Sequence, residues 1–133
     1  MKTVPQIQKY MTTVPHTIGN DIPLKKAFEM MREYKVRHLP VLHAGKVVGI
    51  ITDRDVKLAS SFKGADEMTV DDVMTPDPYM VKPESPLDLT VKEMAARKLG
   101  CAVVQSNNKV VGIFTATDGL RVLGDVLEQN YKH

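Results

Sequence analysis

The 133 residues, 43% hydrophobic and 26% charged, have the length and balance of one ordinary soluble globular body. A net charge of +2 is too weak to suggest a nucleic-acid or membrane partner, and no apolar run approaches the ~18 residues that a spanning helix needs. The N-terminus lacks the apolar core of a signal peptide, so the expected location is the cytoplasm.

Val4, Ile7 and Met11 stand at helical spacing with Pro5 in the first turn, which predicts a lead-in helix over residues 4–11. His16-Thr17-Ile18 reads as a short extended piece. The next helix starts at Pro23 and carries Leu24, Ala27, Phe28, Met31 and Tyr34 on its apolar face, with Met30-Met31 as core filler. Two strands follow, Leu39 to Leu42 and Lys46 to Ile51, joined by a left-handed turn at Ala44-Gly45. Pro40 has no N–H for a ladder, so its strand is expected at an edge or at one end of the sheet. Arg54 to Phe62 reads as a closing helix, and Lys63 to Glu67 as a polar linker loop.

The same order then recurs. Thr69 with Asp72 signals a helix start ahead of Val70 to Met74, and Tyr79-Met80-Val81 matches the short extended piece. Ser85 is expected to cap, and Asp88 to box, a helix from Pro86 whose apolar face is Leu87, Val91, Met94 and Ala95. Strands at Ala102 to Gln105 and Lys109 to Phe114 flank an Asn107-Asn108 turn, and Thr117 to about Tyr131 forms the last helix. Cys101, beside Ala102, Val103 and Val104, is expected to be a small buried strand residue rather than a reactive thiol.

The two halves match residue by residue without a gap. Met11-Thr12 pairs with Met74-Thr75, Pro15 with Pro78, Pro23-Leu24 with Pro86-Leu87, and Val47 to Asp55 with Val110 to Asp118. Two copies are too few for a solenoid, and a lone unit of about 60 residues is marginal in the surface it buries. The expected fold is therefore α+β, α/β-like: two pseudo-two-fold-related β-α-β-β-α repeats packed through their sheets. They divide into residues 1–63, with the lead-in helix, and 64–133, with the linker and the C-terminal helix. A cleft is expected on the axis between them.

Thr52-x-x-Asp55 and Thr115-x-x-Asp118 follow strands and open helices. Such a pair caps a helix N-terminus, and the helix dipole favours the carboxylate there. The same carboxylate can accept hydrogen bonds from a vicinal diol such as a ribose, each contributing about 1.5–3 kcal/mol, so capping and binding are compatible. Arg37-His38 offers a fork of donors and a titratable ring to a phosphate, with a solvated surface pair as the plain alternative. Repeat two has Gly100-Cys101 there, and Ala116-Thr117 in place of Asp53-Arg54, so any anion site is asymmetric. The four histidines show no metal-ligand spacing. No phosphate-binding glycine loop and no nucleophile elbow is present, which leaves an enzyme as the least supported class.

From about Met11 to Leu123 the chain resembles a tandem pair of CBS (cystathionine β-synthase) domains. Val36-Arg37-His38-Leu39-Pro40-Val41 and the two copies Gly49 to Asp55 and Gly112 to Asp118 carry the resemblance. It implies a stand-alone, non-catalytic regulatory pair that binds AMP, ADP, ATP or S-adenosylmethionine in the inter-repeat cleft, with no obligate cofactor or metal. Asp55 and Asp118 would take ribose hydroxyls beside Thr52 and Thr115. Thr17, Ile18, Met80 and Val81 would flank the adenine. Arg37 and His38 would meet phosphates, and Pro40 and Arg54 would line the site. The resemblance further implies a homodimer and an unidentified regulated protein. The competing expectation is a ligand-independent interaction or dimerisation module, in which the two aspartates only cap.

Overall fold

The computed structural model describes residues 2–13 and 16–133; Pro15, matched to Pro78 by the repeat, lies outside the described residues. In chain order the elements are β1 (Thr12–Thr13), β2 (Ile18–Gly19), α1 (Leu24–Tyr34), β3 (His38–His43), β4 (Lys46–Thr52), α2 (Asp53–Ser60), α3 (Val70–Val73), β5 (Thr75–Pro76), β6 (Met80–Val81), α4 (Leu87–Arg97), β7 (Cys101–Ser106), β8 (Lys109–Thr115) and α5 (Ala116–Asn130). Short 3₁₀ turns lie at Ile7–Lys9 and Ala65–Glu67. The expected mixed α and β class and the strand-helix-strand-strand-helix order are both realised.

The chain forms two compact units, residues 15–78 and residues 1–14 with 79–133. This differs from halves at 1–63 and 64–133, because the segment ahead of each repeat completes the unit of the other. In the 15–78 unit the sheet order is β2-β3-β4-β5, with β2 parallel to β3 and the other pairs antiparallel. In the second unit the order is β1-β8-β7-β6, with β6 parallel to β7. β5 and β1 are edge strands that sequence periodicity did not reveal, since each is only two residues long.

The glycine of the repeated motif exists for these edge strands. A Cβ on Gly49 would lie 2.8 Å from the Thr75 carbonyl, and one on Gly112 would lie 2.9 Å from the Thr12 carbonyl. Any side chain there pushes the edge strand off its partner.

Each unit buries one face of its sheet against helices. In the 15–78 unit Leu39, Val41 and Ile51 meet Leu24, Ala27 and Met31 of α1, with Val56, Ala59 and Val70 closing the core. In the other unit Ala102, Val104 and Phe114 meet Leu87 and Met94 of α4 and Ile7 of the N-terminal segment. Full burial of such side chains stabilises by about 1.5–3 kcal/mol each. Met31 is buried and Met30 packs against the same core, as core filler should. Phe28 and Tyr34 stay exposed, Tyr34 stacking on His16 at 3.7 Å between ring centroids. Cys101 is buried in β7, and desolvation pushes its thiol up to about 12.

Three local expectations are corrected. The lead-in is one 3₁₀ turn rather than a helix, because its backbone bonds outward: the Ile7 N–H donates to the Ser85 carbonyl, and the Leu87 N–H donates to the Pro5 carbonyl, each at 2.9 Å. Ser85 does not cap α4; its hydroxyl oxygen accepts from the Lys82 N–H at 3.0 Å and closes the preceding turn. β3 is an interior strand despite Pro40. The equivalent Val103 N–H donates to the Tyr79 carbonyl at 2.9 Å, just ahead of β6, so the donor Pro40 lacks belongs where the two-residue β2 has not yet begun. The turns behave as expected, with Ala44, Gly45, Asn107 and Asn108 all at positive φ.

Candidate functional site

Both Thr-x-x-Asp turns are complete capping boxes. At the start of α2 the Thr52 N–H donates to Asp55 Oδ2 at 3.0 Å, and the Asp55 N–H donates to Thr52 Oγ1 at 3.1 Å. At the start of α5 the Thr115 N–H donates to Asp118 Oδ2 at 2.9 Å, and the Asp118 N–H donates to Thr115 Oγ1 at 3.1 Å. The strand delivers its last residue in extended backbone, where threonine is at ease, and the helix begins at the next residue.

The second carboxylate oxygens differ. Arg121 Nη1 donates to Asp118 Oδ1 at 3.1 Å, and Asp118 is 7% exposed. Residue 58, the counterpart of Arg121, is leucine, and Asp55 is half-buried with Oδ2 alone engaged in the cap. Both units therefore hold a carboxylate at a helix start, but only Asp55 keeps an oxygen for a further donor among the described residues. Sequence reasoning missed Arg121; an Asp three residues ahead of an Arg on one helix was the signal.

The remaining candidates separate into groups. His38 is half-buried and faces Thr52 across the β3–β4 ladder. Pro40 is fully buried on the same strand, and Arg54 is exposed at the start of α2. Ile18 belongs to the core and Val81 packs against the other core, so both are committed as side chains; Thr17 is half-buried and Met80 exposed. Arg37 does not join His38. Arg37 stands in the bend ahead of β3 and lines a separate cavity of about 410 Å³ formed by α1, α2 and the approach to β3. None of Thr52, Asp55 or His38 lines that cavity. Among the described residues no group of histidine, cysteine and carboxylate side chains is placed to hold a metal ion, and no helix is long and apolar enough to cross a membrane.

Two matched units, each a small mixed sheet backed by two helices with a capped carboxylate at the last strand-to-helix turn, define a tandem-repeat β-α-β-β-α protein. The CBS domain family model matches residues 7–61 and 70–125, and the chain belongs to that family. Among curated relatives, an inosine-5'-monophosphate dehydrogenase of Korarchaeum cryptofilum is 32% identical over 88% of this chain and 24% of its own length. The chain spans from 23% to 50% of the length of the first curated relatives it matches. The CBS domain pair of protein MJ0100, solved in complex with 5'-methylthioadenosine and S-adenosyl-L-methionine, is 25% identical with a TM-score of 0.85, over 93% of this chain and 99% of that one. CBSX2 of Arabidopsis thaliana, solved in complex with AMP, is 25% identical with a TM-score of 0.74, over 91% and 97%.

Proposed function

We propose that this CBS pair is a regulatory sensor for an adenosine-containing small molecule. The observation that carries the reading is the Thr52–Asp55 box with its unengaged carboxylate oxygen. A vicinal diol supplies two donors, and a helix-start carboxylate already fixed through Oδ2 presents Oδ1 without further ordering. Bonds to such an ionised acceptor are the stronger kind. Two CBS pairs of similar fold hold AMP, or S-adenosyl-L-methionine and 5'-methylthioadenosine, which supports an adenosyl ligand. His38, across the ladder from Thr52, and Arg54, in the first turn of α2, are assigned to the phosphates or the sulfonium-bearing chain; Arg37, which lines the other cavity, is not. Thr17 and Met80 offer side chains to the base, and Ile18 and Val81 offer backbone. Asp118 binds only when Arg121 gives way, so the first repeat is the primary site. We assign no catalytic role, place the protein in the cytoplasm, and expect ligand binding to shift contact with a regulated partner.

The test is calorimetric titration and thermal melting with AMP, ADP, ATP, S-adenosylmethionine and NAD, with and without Mg²⁺. A ligand at a hundredfold over its Kd stabilises by about 2.7 kcal/mol. The reading requires such a shift with an adenosyl ligand and its loss in Asp55→Ala with the fold intact. No shift with any of them overturns it.

A second reading has its own observation. Leu120, Leu123 and Leu127 form an exposed stripe on α5, beside an apolar groove of about 790 Å³ between α4 and α5. That surface suits a ligand-independent homodimer. Leu123→Glu, measured by sedimentation, would then yield monomers whether or not nucleotide is present.

A further inference from the structure

We infer that the cavity between α1 and α2 is a separate anion site, one that takes a phosphorylated small molecule with a planar or apolar body. Its rim carries Arg32, Lys35, Arg37 and Lys57 against the lone carboxylate of Asp53. That local excess of positive charge is larger than the +2 of the entire chain. Lys57 approaches Asp53 at 3.9 Å, and Arg32 lies 5.6 Å from the Phe28 ring centroid. No ion pair engages Arg32, Lys35 or Arg37 among the described residues. Arg32 and Lys35 also complement the carboxyl end of α1, and Lys57 that of α2, but Arg37 lies outside both helices and gains nothing from either dipole.

The fold does not require this chemistry. The same positions in the second unit hold Ala95, Lys98, Gly100 and Leu120, and the surface there is apolar. Repeat one has therefore gathered cations at helix ends that repeat two, on the same backbone, leaves largely apolar, and has added Arg37 where no helix end favours one. The floor is Phe28, Met31 and Val36, with Phe28 41% exposed. A bare inorganic ion leaves that floor wet. A phosphate with a ring attached places its charge among the guanidinium and ammonium groups, where arginine can bind two oxygens at once, and its ring on Phe28. A volume of about 410 Å³ lies within the range of small-molecule sites.

The test is a heteronuclear NMR titration of the intact chain with phenyl phosphate, inorganic phosphate and chloride at matched ionic strength. Phenyl phosphate should give saturable shifts in the amides of residues 28–37 and 53–57, with an affinity at least about threefold above inorganic phosphate. The double variant Arg32→Gln/Arg37→Gln, both sites exposed, should weaken it about tenfold or more. Phe28→Ala should weaken phenyl phosphate and leave inorganic phosphate unchanged. Asp55→Ala should leave the phenyl phosphate shifts in place, so failure here and failure of the adenosyl reading are told apart. Shifts that grow linearly with salt, equal affinity for the two phosphates, or full binding in the double variant would each overturn the proposal.

Discussion

The two units share a backbone and differ in what they expose. Gly49 and Gly112, the paired capping boxes, and the parallel-then-antiparallel ladders recur because the motif fixes them. The differences lie where the backbone makes no demand: Leu58 against Arg121, the cationic rim against the apolar groove, and the 8 residues of α2 against the 15 of α5. An internal duplication thus separates what folding needs from what function has changed. Identical positions report the first, and diverged exposed positions report the second.

The strongest way to break this comparison is at the shared positions. Gly49→Val and Gly112→Val should each destabilise by about 3 kcal/mol, through the clash with the edge-strand carbonyls, as measured by urea unfolding. A large effect in one unit and none in the other would end the claim that the glycines serve one purpose.

The diverged positions come next. Arg121→Leu, which copies the first repeat into the second, should free Asp118 Oδ1 and raise affinity for the adenosyl ligand at the second repeat about tenfold, or about 1.4 kcal/mol. Leu58→Arg should do the reverse at Asp55. Because Arg121 is 68% exposed, losing its ion pair should cost less than about 1 kcal/mol of stability. Calorimetry on both variants checks the pair. Thr52→Ala and Thr115→Ala, which remove one cap bond each, should each cost about 1 kcal/mol in thermal or urea melts.

A pH measurement sharpens the contrast between His38 and Cys101, which occupy the same place in β3 and β7. Burial raises the Cys101 thiol from 9.0 to about 12. The unfolded chain then loses this proton at lower pH than the folded chain does. The contribution is intact below pH 9 and is lost as the pH climbs from 9 towards 12. Folded protein should resist thiol reagents at pH 8, and Cys101→Ser should flatten the alkaline fall in stability.

Much of this was legible in the sequence because it is local. The Thr-x-x-Asp caps and the Asn107-Asn108 turn depend on neighbours a few residues apart. The edge strands were not legible, since two residues carry no period and their pairing is dictated by distant glycines. The parting of Arg37 from His38 was not legible, since Arg37 stands in a bend ahead of β3 and only the fold sets its place beside α1 and α2. The cationic rim gathers Arg32, Lys35, Arg37 and Lys57 from three segments, and only the folded chain brings them together.

The pairing of Thr12 with Ile113 has a consequence for synthesis. The 15–78 unit has its whole sheet once Pro76 has been made, so it can fold while the ribosome is still translating the second repeat. Strand β1, made before that unit, waits for a partner about a hundred residues downstream. Closing so long a loop adds entropy that grows only slowly with length, but it delays the step. A segment made ahead of the first unit thus finds its place after it, and Ile7 stays uncovered until then.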